Sequence, residues 1–203
     1  MRPPPLYNLI GFLSAPVLYG LYRLRARGKE NLPAGGFVLA SNHISSLDPW
    51  VVGMPLWPKR FLRFMAKSEL YWWPLNHVLN GAGAFPVRRG QRDTEAIDTA
   101  VRLAREGYAV TMFPEGTRRT KGLVKRFESR PRSGAARIAL EAGVPLVPAA
   151  VKGTDKLTRL GPLSVAYGAP VEIDDLRGGD VAEAAHEATE RLMARIAELE
   201  ASL

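Results

Sequence analysis

The sequence predicts an α/β fold in which a layered mixed sheet is flanked by helices. Short apolar runs, typical of buried strands, alternate along the chain with segments whose apolar residues recur at helical spacing. A chain of 203 residues with no internal repeat and no linker fits a single hydrophobic core. We therefore expect one domain with an N-terminal helical appendage.

The first elements follow from turns and periodicity. Phe37–Ala40 is a short apolar run after the turn at Pro33–Gly36, which is typical of a buried strand, and Arg63–Ala66 predicts a second strand. Arg92–Glu106 carries an apolar stripe at helical spacing, and Gly107 ends that predicted helix.

The second half of the chain continues the alternation. Tyr108–Phe113 predicts a strand, and Ser133–Ala142 predicts a helix that a glycine caps. Val144–Val151 is apolar, but its two prolines predict an edge or loop-like strand, because proline cannot donate to a ladder. Leu163–Tyr167 predicts a late strand, and Val181–Leu203 an amphipathic helix.

Composition excludes several classes of chemistry. The chain has no cysteine, which excludes a disulfide scaffold, a thiol nucleophile and thiolate metal sites, and its three histidines argue against a multi-histidine metal centre. The net charge is +8, and residues 1–170 hold 25 basic and 11 acidic groups. Such a basic body predicts an anionic partner: nucleic acid, an acidic membrane face or a phosphorylated ligand.

The N-terminal region predicts contact with a membrane. Residues 6–22 carry no charge, but they are fewer than the roughly 20 apolar residues that a spanning helix needs, and they lack the features of a signal peptide. We expect a helix in the membrane interface, with Arg23, Arg25 and Arg27 on anionic lipid. The alternative is a helix that only caps the core. Residues 1–27 are thus expected to form a membrane-associating segment.

One motif has the residues of a catalytic base. His43 follows the strand predicted at Phe37–Ala40, and Asp48 comes five residues later. If the chain turns between them, the carboxylate can bond one imidazole nitrogen, fix the tautomer and make the other nitrogen more basic. A substrate hydroxyl can then replace the serine of a catalytic triad. The alternative is that Asp48 caps a helix at Pro49 and that His43 is structural.

Three other segments have more than one interpretation: two suit an anion-binding site or an ordinary structural role, and the third indicates only a strand. In Phe113–Arg118, backbone N–H groups near Gly116 and the Arg118 guanidinium can hold a phosphate, unless the loop is an ordinary strand exit. Gly83–Arg89 ends in two arginines, which suit an anion or a solvated surface. Val144–Ala150 by itself indicates only a core strand.

Taken in this order, the four motifs resemble the glycerophospholipid acyltransferase family, which includes the bacterial 1-acylglycerol-3-phosphate acyltransferases. The family's Asn-His motif, with an aspartate after four further residues, is matched by Asn42, His43 and Asp48. Its Phe-Pro-Glu-Gly-Thr-Arg motif is matched without change by Phe113–Arg118. The resemblance covers roughly residues 20–155.

The remaining motifs match less specifically. Gly83–Arg89 fits a glycine-led apolar pattern that places Arg89 at the family's arginine position, and Val144–Pro148 fits the family's Val-Pro-apolar-Val-Pro run. The family's Phe-Lys-x-Gly stretch is replaced here by Pro131–Gly134, where Arg132 stands in for the lysine as a phosphate contact.

The resemblance implies that residues 28–203 form an acyltransferase domain. Such enzymes move a fatty acyl chain from acyl-CoA or acyl-carrier protein to a lysophospholipid hydroxyl, by default that of 1-acylglycerol 3-phosphate, and need no metal or other cofactor. His43 would be the general base and Asp48 would orient it. The implied substrate-binding residues are Asn42, Arg89, Glu115, Gly116, Thr117, Arg118 and Arg132.

The thioester donor and the basic N-terminal flank predict an anionic membrane surface at the cytoplasmic face as a partner, and nucleic acid is not expected. A nucleic-acid-binding module would fit the charge, but the chain has no recognised signature of one. A thioester hydrolase could use the same His43–Asp48 pair. Glycerol 3-phosphate, another lysophospholipid and a glycolipid remain open as acceptors.

Two further segments have open interpretations. Arg118–Arg137 holds eight basic residues and one acidic residue, so it predicts binding of headgroups, CoA phosphates or an acidic carrier protein, or else a solvated loop. Tyr71–Leu75 is an aromatic cluster that suits a membrane contact, an acyl groove or core packing. His77 and His186 are expected to be structural.

Overall fold

A computed structural model describes residues 3–88, 94–116, 120–121, 125–126, 131–156 and 160–203. Its strands are β1 (Arg25–Arg27), β2 (Phe37–Ser41), β3 (Leu62–Lys67), β4 (Ala84–Val87), β5 (Ala109–Met112), β6 (Thr120–Lys121), β7 (Lys125–Arg126), β8 (Leu146–Lys152) and β9 (Ser164–Tyr167). Its α-helices are α1 (Pro5–Ala15), α2 (Asp48–Gly53), α3 (Leu75–Gly81), α4 (Thr94–Arg105), α5 (Gly134–Ala142) and α6 (Val181–Ala201).

Seven of the strands form one mixed sheet, which confirms the predicted fold class. Their order across the sheet is β1-β9-β8-β2-β5-β3-β4, and every neighbouring pair is parallel except β8 with β9. Strands β6 and β7 form a separate antiparallel pair. Since β2, β3, β4, β5 and β8 run in the same direction, their carboxyl ends meet at one edge of the sheet, where α/β proteins bind ligands.

Helices cover both faces of the sheet. On one face, α4, α5 and α6 pack against alternate strand residues, and the stripe predicted for α4 supplies buried alanines together with Val101 and Leu103. On the other face, α2 and the N-terminal segment bury Val51, Val52 and Leu18 against the sheet. This two-sided burial leaves the strand ends as the place where polar side chains can gather.

The helix boundaries largely follow the sequence signals. Helix α5 ends at Ala142 with Gly143 as its C-cap, as predicted, and α6 begins after Asp180, whose carboxylate accepts the N–H groups of Ala182 and Glu183 at 2.9 and 3.0 Å. The helix predicted over Arg92–Glu106 is present from Thr94, and residues 92 and 93 lie outside the described part of the chain.

The prediction that Val144–Val151 forms an edge strand is wrong. Strand β8 lies inside the sheet between β2 and β9. Pro148 stands opposite Ala40 in the β2 register, but it precedes the first β9 pair, Ala149 with Tyr167, and its carbonyl accepts the Gly168 N–H at 2.8 Å. Pro148 therefore lies just outside the β8–β9 pairs, and its missing N–H removes no bond from that ladder.

The N-terminal segment is half buried and half exposed. Helix α1 continues into a π-helical turn (Pro16–Leu21), and its inner side buries Gly11, Ser14 and Leu18. Leu9, Phe12 and Leu13 are exposed on the outer side, at 53%, 67% and 63% of their surfaces. The segment therefore caps the core and also presents an apolar face. Within the described residues, no helix is both long and apolar enough to cross a membrane.

The basic end of this segment takes part in the sheet. Arg25–Arg27 forms β1 and pairs in parallel with β9. Arg25 and Arg27 are exposed, and Arg27 donates hydrogen bonds to the backbone oxygen and the hydroxyl of Ser202. The sheet thus extends into the predicted N-terminal segment and links it to the C-terminal end of the chain.

Candidate active site

The end of β2 places a histidine at the carboxyl edge of the sheet. Asn42, which directly follows β2, is fully buried, and its side chain continues the ladder to β8: Nδ2 donates to the Val151 oxygen at 3.0 Å, and Oδ1 accepts the Val151 N–H at 2.8 Å. The next side chain, His43, stacks on Phe113 with ring centroids 4.3 Å apart. The side-chain amide of Asn42 therefore forms hydrogen bonds with the backbone of β8 and does not point its polar atoms into the cleft.

Asp48 makes the contact that the spacing predicts. Its Oδ2 lies 2.8 Å from His43 Nδ1, and the same oxygen accepts the N–H groups of Ile44 at 2.6 Å and Ser45 at 2.7 Å. Asp48 is fully buried, and His43 is only 7% exposed. An ionised carboxylate can only accept, so Nδ1 carries the proton and Nε2 is left as the basic nitrogen.

The alternative of a simple helix cap is wrong for Asp48. The residue is the first of α2, and its Oδ2 accepts N–H groups of the loop before the helix and none from the first turn of α2, which the structure describes in full. Tyr167 fixes α2 from the other side, because its buried hydroxyl donates to the Val52 oxygen at 2.6 Å. Burial raises the pKa of Tyr167 well above its ordinary value, so this donor stays neutral.

A fourth donor to Asp48 was not predicted. The hydroxyl of Thr154, which follows β8, donates to Asp48 Oδ1 at 2.6 Å, and Thr154 is 2% exposed. The two residues are 106 positions apart in the sequence. No local pattern marks Thr154, because the contact exists only when β8 lies next to β2.

A cleft of about 490 Å³ opens in front of His43. Its walls combine apolar side chains such as Met65 and Ile97 with the arginines Arg88, Arg132 and Arg137. Of these arginines, the sequence singled out Arg132 for binding; Arg88 was only part of a motif, and Arg137 pairs with Glu141 at 2.5 Å. Arg89, Thr117 and Arg118 lie outside the described residues.

The loop after β5 is shaped by a close turn. Gly116 has a φ of +66°, and its N–H donates to the Phe113 oxygen at 2.9 Å, so this N–H closes the turn. A Cβ atom at Gly116 would lie 2.7 Å from the side-chain Nε of Arg132, and the backbone N–H of Arg132 donates to the Pro114 oxygen at 2.8 Å. Only glycine allows both the backbone angle and the passage of Arg132. Glu115 is buried beside it.

One polar group in the cleft has no protein partner among the described residues. The hydroxyl of Thr111, in β5, is buried and unbonded, and Thr111 lines the cleft together with His43. A buried hydroxyl without a partner costs about 1–3 kcal/mol, so a bond to a bound molecule would recover that free energy.

A second, apolar groove of about 390 Å³ lies between α1 and the sheet. Its walls include Tyr7, Ile10, Leu47, Trp50 and Phe64. Burial raises the pKa of Tyr7, so its hydroxyl stays neutral there. The loop from His43 to Trp50 borders both spaces, since His43 lines the cleft and Leu47 and Trp50 line the groove.

The packing of α1 onto this groove is close. A Cβ atom at Gly11 would lie 2.5 Å from the Trp57 indole nitrogen, and that nitrogen donates to Asn8 Oδ1 at 3.2 Å.

For the aromatic cluster at Tyr71–Leu75, the alternative of core packing is wrong, because the side chains of Trp72 and Trp73 are 58% and 78% exposed. Helix α3, which follows these tryptophans, packs against α1. Each of the two helices also exposes apolar side chains to solvent.

Electrostatically, the site joins a buried carboxylate to an arginine-lined cleft. Across the described ranges, no cluster of three or more histidine, aspartate or glutamate side chains could hold a metal ion. A histidine held by a buried aspartate, at the end of a strand, with cations opposite and an apolar groove alongside, is the arrangement of a base-assisted transferase or hydrolase acting on an amphipathic anion.

Comparison with known proteins defines the class. The family model described as "Acyltransferase" matches residues 23–152, and the chain belongs to this family. The protein is therefore an acyltransferase, and the resemblance drawn from the four motifs is confirmed.

Individual proteins that resemble this chain are also named as acyltransferases. A Bacillus subtilis protein named 1-acyl-sn-glycerol-3-phosphate acyltransferase is 35% identical over 188 residues, which are 89% of each chain. The human 1-acyl-sn-glycerol-3-phosphate acyltransferase beta is 32% identical over 148 residues, 70% of this chain and 51% of that one. The Thermotoga maritima lysophosphatidic acid acyltransferase PlsC, a solved structure, matches with a TM-score of 0.67 over 95% of this chain and 78% of that one; at 23% identity it shows the fold alone.

Proposed function

We propose that the protein transfers a fatty acyl chain from acyl-CoA or acyl-carrier protein to the free hydroxyl of 1-acylglycerol 3-phosphate, giving phosphatidic acid in phospholipid biosynthesis. The observation that carries the proposal is the His43–Asp48 pair, whose histidine lines an arginine-containing cleft next to an apolar groove. The names of the relatives from Bacillus subtilis and human support the choice of acceptor.

The proposed chemistry needs one base. His43 Nε2 takes the proton of the acceptor hydroxyl as its oxygen attacks the thioester carbonyl, and Asp48 stabilises the imidazolium that forms. Collapse of the tetrahedral intermediate breaks the C–S bond, and the imidazolium proton passes to the departing thiolate. Because a thioester is already activated, no covalent enzyme intermediate is required.

The cations of the cleft suit the acceptor's phosphate. Arg132 faces the same space as His43, and we propose that it binds the phosphate together with Arg89 and Arg118. Glu115, Gly116 and Thr117 would shape this part of the site. Among the described arginines, Arg88 and Arg137 also line the cleft and add to its positive potential.

The groove suits an acyl chain. Its walls are almost entirely apolar, and the loop that carries His43 also forms part of them. A chain lying in the groove would bring its carbonyl or glycerol end to the base. Burial of each methylene would stabilise the complex by about 0.8 kcal/mol.

We further propose that residues 1–27 associate with an anionic membrane and that residues 28–203 form the acyltransferase domain. The exposed apolar face of α1, the neighbouring Trp72 and Trp73, and the exposed Arg23 and Arg25 support this arrangement. The protein would then lie on the cytoplasmic face of the cell membrane as a peripheral or monotopic protein, where soluble thioester donors are available.

The test of the function is thiol release from acyl-CoA in mixed micelles, with and without 1-acylglycerol 3-phosphate. We expect release that requires the acceptor, together with formation of phosphatidic acid. Release at the same rate without acceptor would identify a thioester hydrolase. Replacing the acceptor by glycerol 3-phosphate, another lysophospholipid or a glycolipid, and the donor by acyl-carrier protein, defines the substrate range.

Replacement of Arg132 by alanine should weaken phosphate recognition. We expect the KM for 1-acylglycerol 3-phosphate to rise about tenfold, because a charge-assisted bond of roughly 1.4 kcal/mol is lost, while the KM for monoacylglycerol, which lacks the phosphate, stays unchanged. Arg195→Ala, on the exposed face of α6, is the matched control. Equal changes for both acceptors would contradict a phosphate contact.

Replacement of Leu9, Phe12 and Leu13 by serine should weaken membrane binding without removing buried residues. We expect the fraction that floats with phosphatidylglycerol-containing vesicles to fall tenfold or more, since each buried apolar side chain contributes about 1.5–3 kcal/mol. The control is the double variant Leu160→Ser and Val181→Ser, at exposed apolar positions outside α1 and α3. Unchanged flotation of the triple variant would show that these three residues do not form the membrane contact.

A further inference from the structure

Two side-chain contacts tie the end of β8 to the loop that carries the candidate base. Asn42 bonds both backbone groups of Val151, and Thr154 bonds Asp48 Oδ1. All of the side-chain groups in these contacts are buried. The segment from Val151 to Thr154 therefore holds the residues on both sides of His43.

The contact from Thr154 helps to fix the plane of the Asp48 carboxylate. Oδ2 is held by Ile44, Ser45 and His43, and the Thr154 hydroxyl lies 2.6 Å from Oδ1. With both oxygens bonded, the carboxylate is held more tightly against rotation about its Cβ–Cγ bond. Because a carboxylate only accepts, the Thr154 hydroxyl must donate, and its direction is also fixed.

We propose that Thr154 is a positioning residue of the acyl-transfer reaction, acting on His43 through Asp48, and that Asn42 supports the same segment in place of the substrate contact that the motif implied. The inference rests on the proposed function of the His43–Asp48 pair. Thr154 touches neither substrate in this role. Loss of its hydroxyl would let the carboxylate turn and the imidazole with it, and a misplacement of about 1 Å at a catalytic group can cost a hundredfold in rate.

The test compares the kinetics of Thr154→Val and Thr154→Ser in the thiol-release assay. Valine keeps the shape and removes the donor, so we expect kcat to fall about ten- to a hundredfold while the KM values for both substrates change less than twofold. Serine keeps the donor and should restore kcat to within about threefold of the original protein. Thr189→Val is the matched control, because it removes a buried threonine hydroxyl that bonds Ala185 in α6, away from the cleft.

If Thr154 acts through His43, the effect of Thr154→Val on the rate should depend on the presence of His43, whereas an effect through loss of folding should not. In a His43→Ala background, Thr154→Val should cause no further loss of rate. If Thr154→Val does not fold, Thr154→Ala is the second variant, since it also removes the hydroxyl donor to Oδ1; we expect a loss of kcat with unchanged KM.

The outcomes distinguish the two proposals. No acceptor-dependent release by the unmodified protein with any donor or acceptor would reject the proposed function. An active unmodified protein whose Thr154→Val and Thr154→Ala variants keep full kcat would reject the role of Thr154 alone. A loss for Thr154→Val that serine does not restore, or that Thr189→Val reproduces, would also reject it.

Discussion

Replacement of His43 by alanine should lower kcat for acyl transfer about 10³-fold. A positioned general base typically contributes 10²–10⁴ in rate, and Nε2 of His43 is the basic nitrogen that the bond to Asp48 leaves to face the cleft. The measurement is thiol release from acyl-CoA with 1-acylglycerol 3-phosphate, under single-turnover and steady-state conditions, with substrate binding followed separately.

His186→Ala is the control for this variant. His186 lies on the exposed face of α6, 3.9 Å from Glu190, and we expect its replacement to leave the rate unchanged. Thermal unfolding checks that the loss of the stacking contact with Phe113 has not unfolded the His43 variant. A His43→Ala protein that retains a third or more of the rate would remove His43 from the role of base.

Replacement of Asp48 by asparagine should lower kcat about 10²- to 10⁴-fold with little change in KM. Asparagine can keep an oxygen toward Ile44 and Ser45 and turn its amide toward Thr154, so the loop can keep its shape. The negative charge that stabilises the imidazolium is lost, which is the reason for the fall in rate. Asp175→Asn, at an exposed ion pair with Arg191, is the matched control.

Asp48→Ala separates stability from catalysis at the same position. It removes the carboxylate that accepts the part-buried N–H groups of Ile44 and Ser45 and the buried Thr154 hydroxyl, and each lost bond of this kind costs up to about 1–3 kcal/mol. We expect the free energy of unfolding to fall by roughly 3–5 kcal/mol, a large part of the total for a domain, in denaturant titrations. An alanine variant as stable as the original would mean that this network contributes little to the fold.

The local parts of the site were predictable because they are close in the sequence. His43 and Asp48 are five residues apart, and one turn of chain is enough to bring them together. The strand at Phe37–Ser41 likewise follows from a continuous apolar run, since it is buried at every position, and the helices at Thr94–Arg105 and Val181–Ala201 follow from a period of 3.6 residues.

Other predictions depended on which elements become neighbours. Prolines in Val144–Val151 suggested a sheet edge, but the missing donor of Pro148 lies where β9 has ended, which only the strand order reveals. The uncharged N-terminal residues suggested either a membrane helix or a core cap. The structure shows a helix with one buried and one exposed apolar face, and composition does not separate these two faces.

By itself, then, the sequence determined the α/β class, the family and the pairing of His43 with Asp48, because each can be read from short patterns along the chain: apolar runs and helical stripes, the order of four motifs, and a spacing of five residues. Only the tertiary structure decided which groups Asn42 and Thr154 contact around that pair, and which described arginines border the cleft. Their contacts join segments about 100 residues apart, and such contacts form only when parallel strands bring their carboxyl ends to one edge of the sheet.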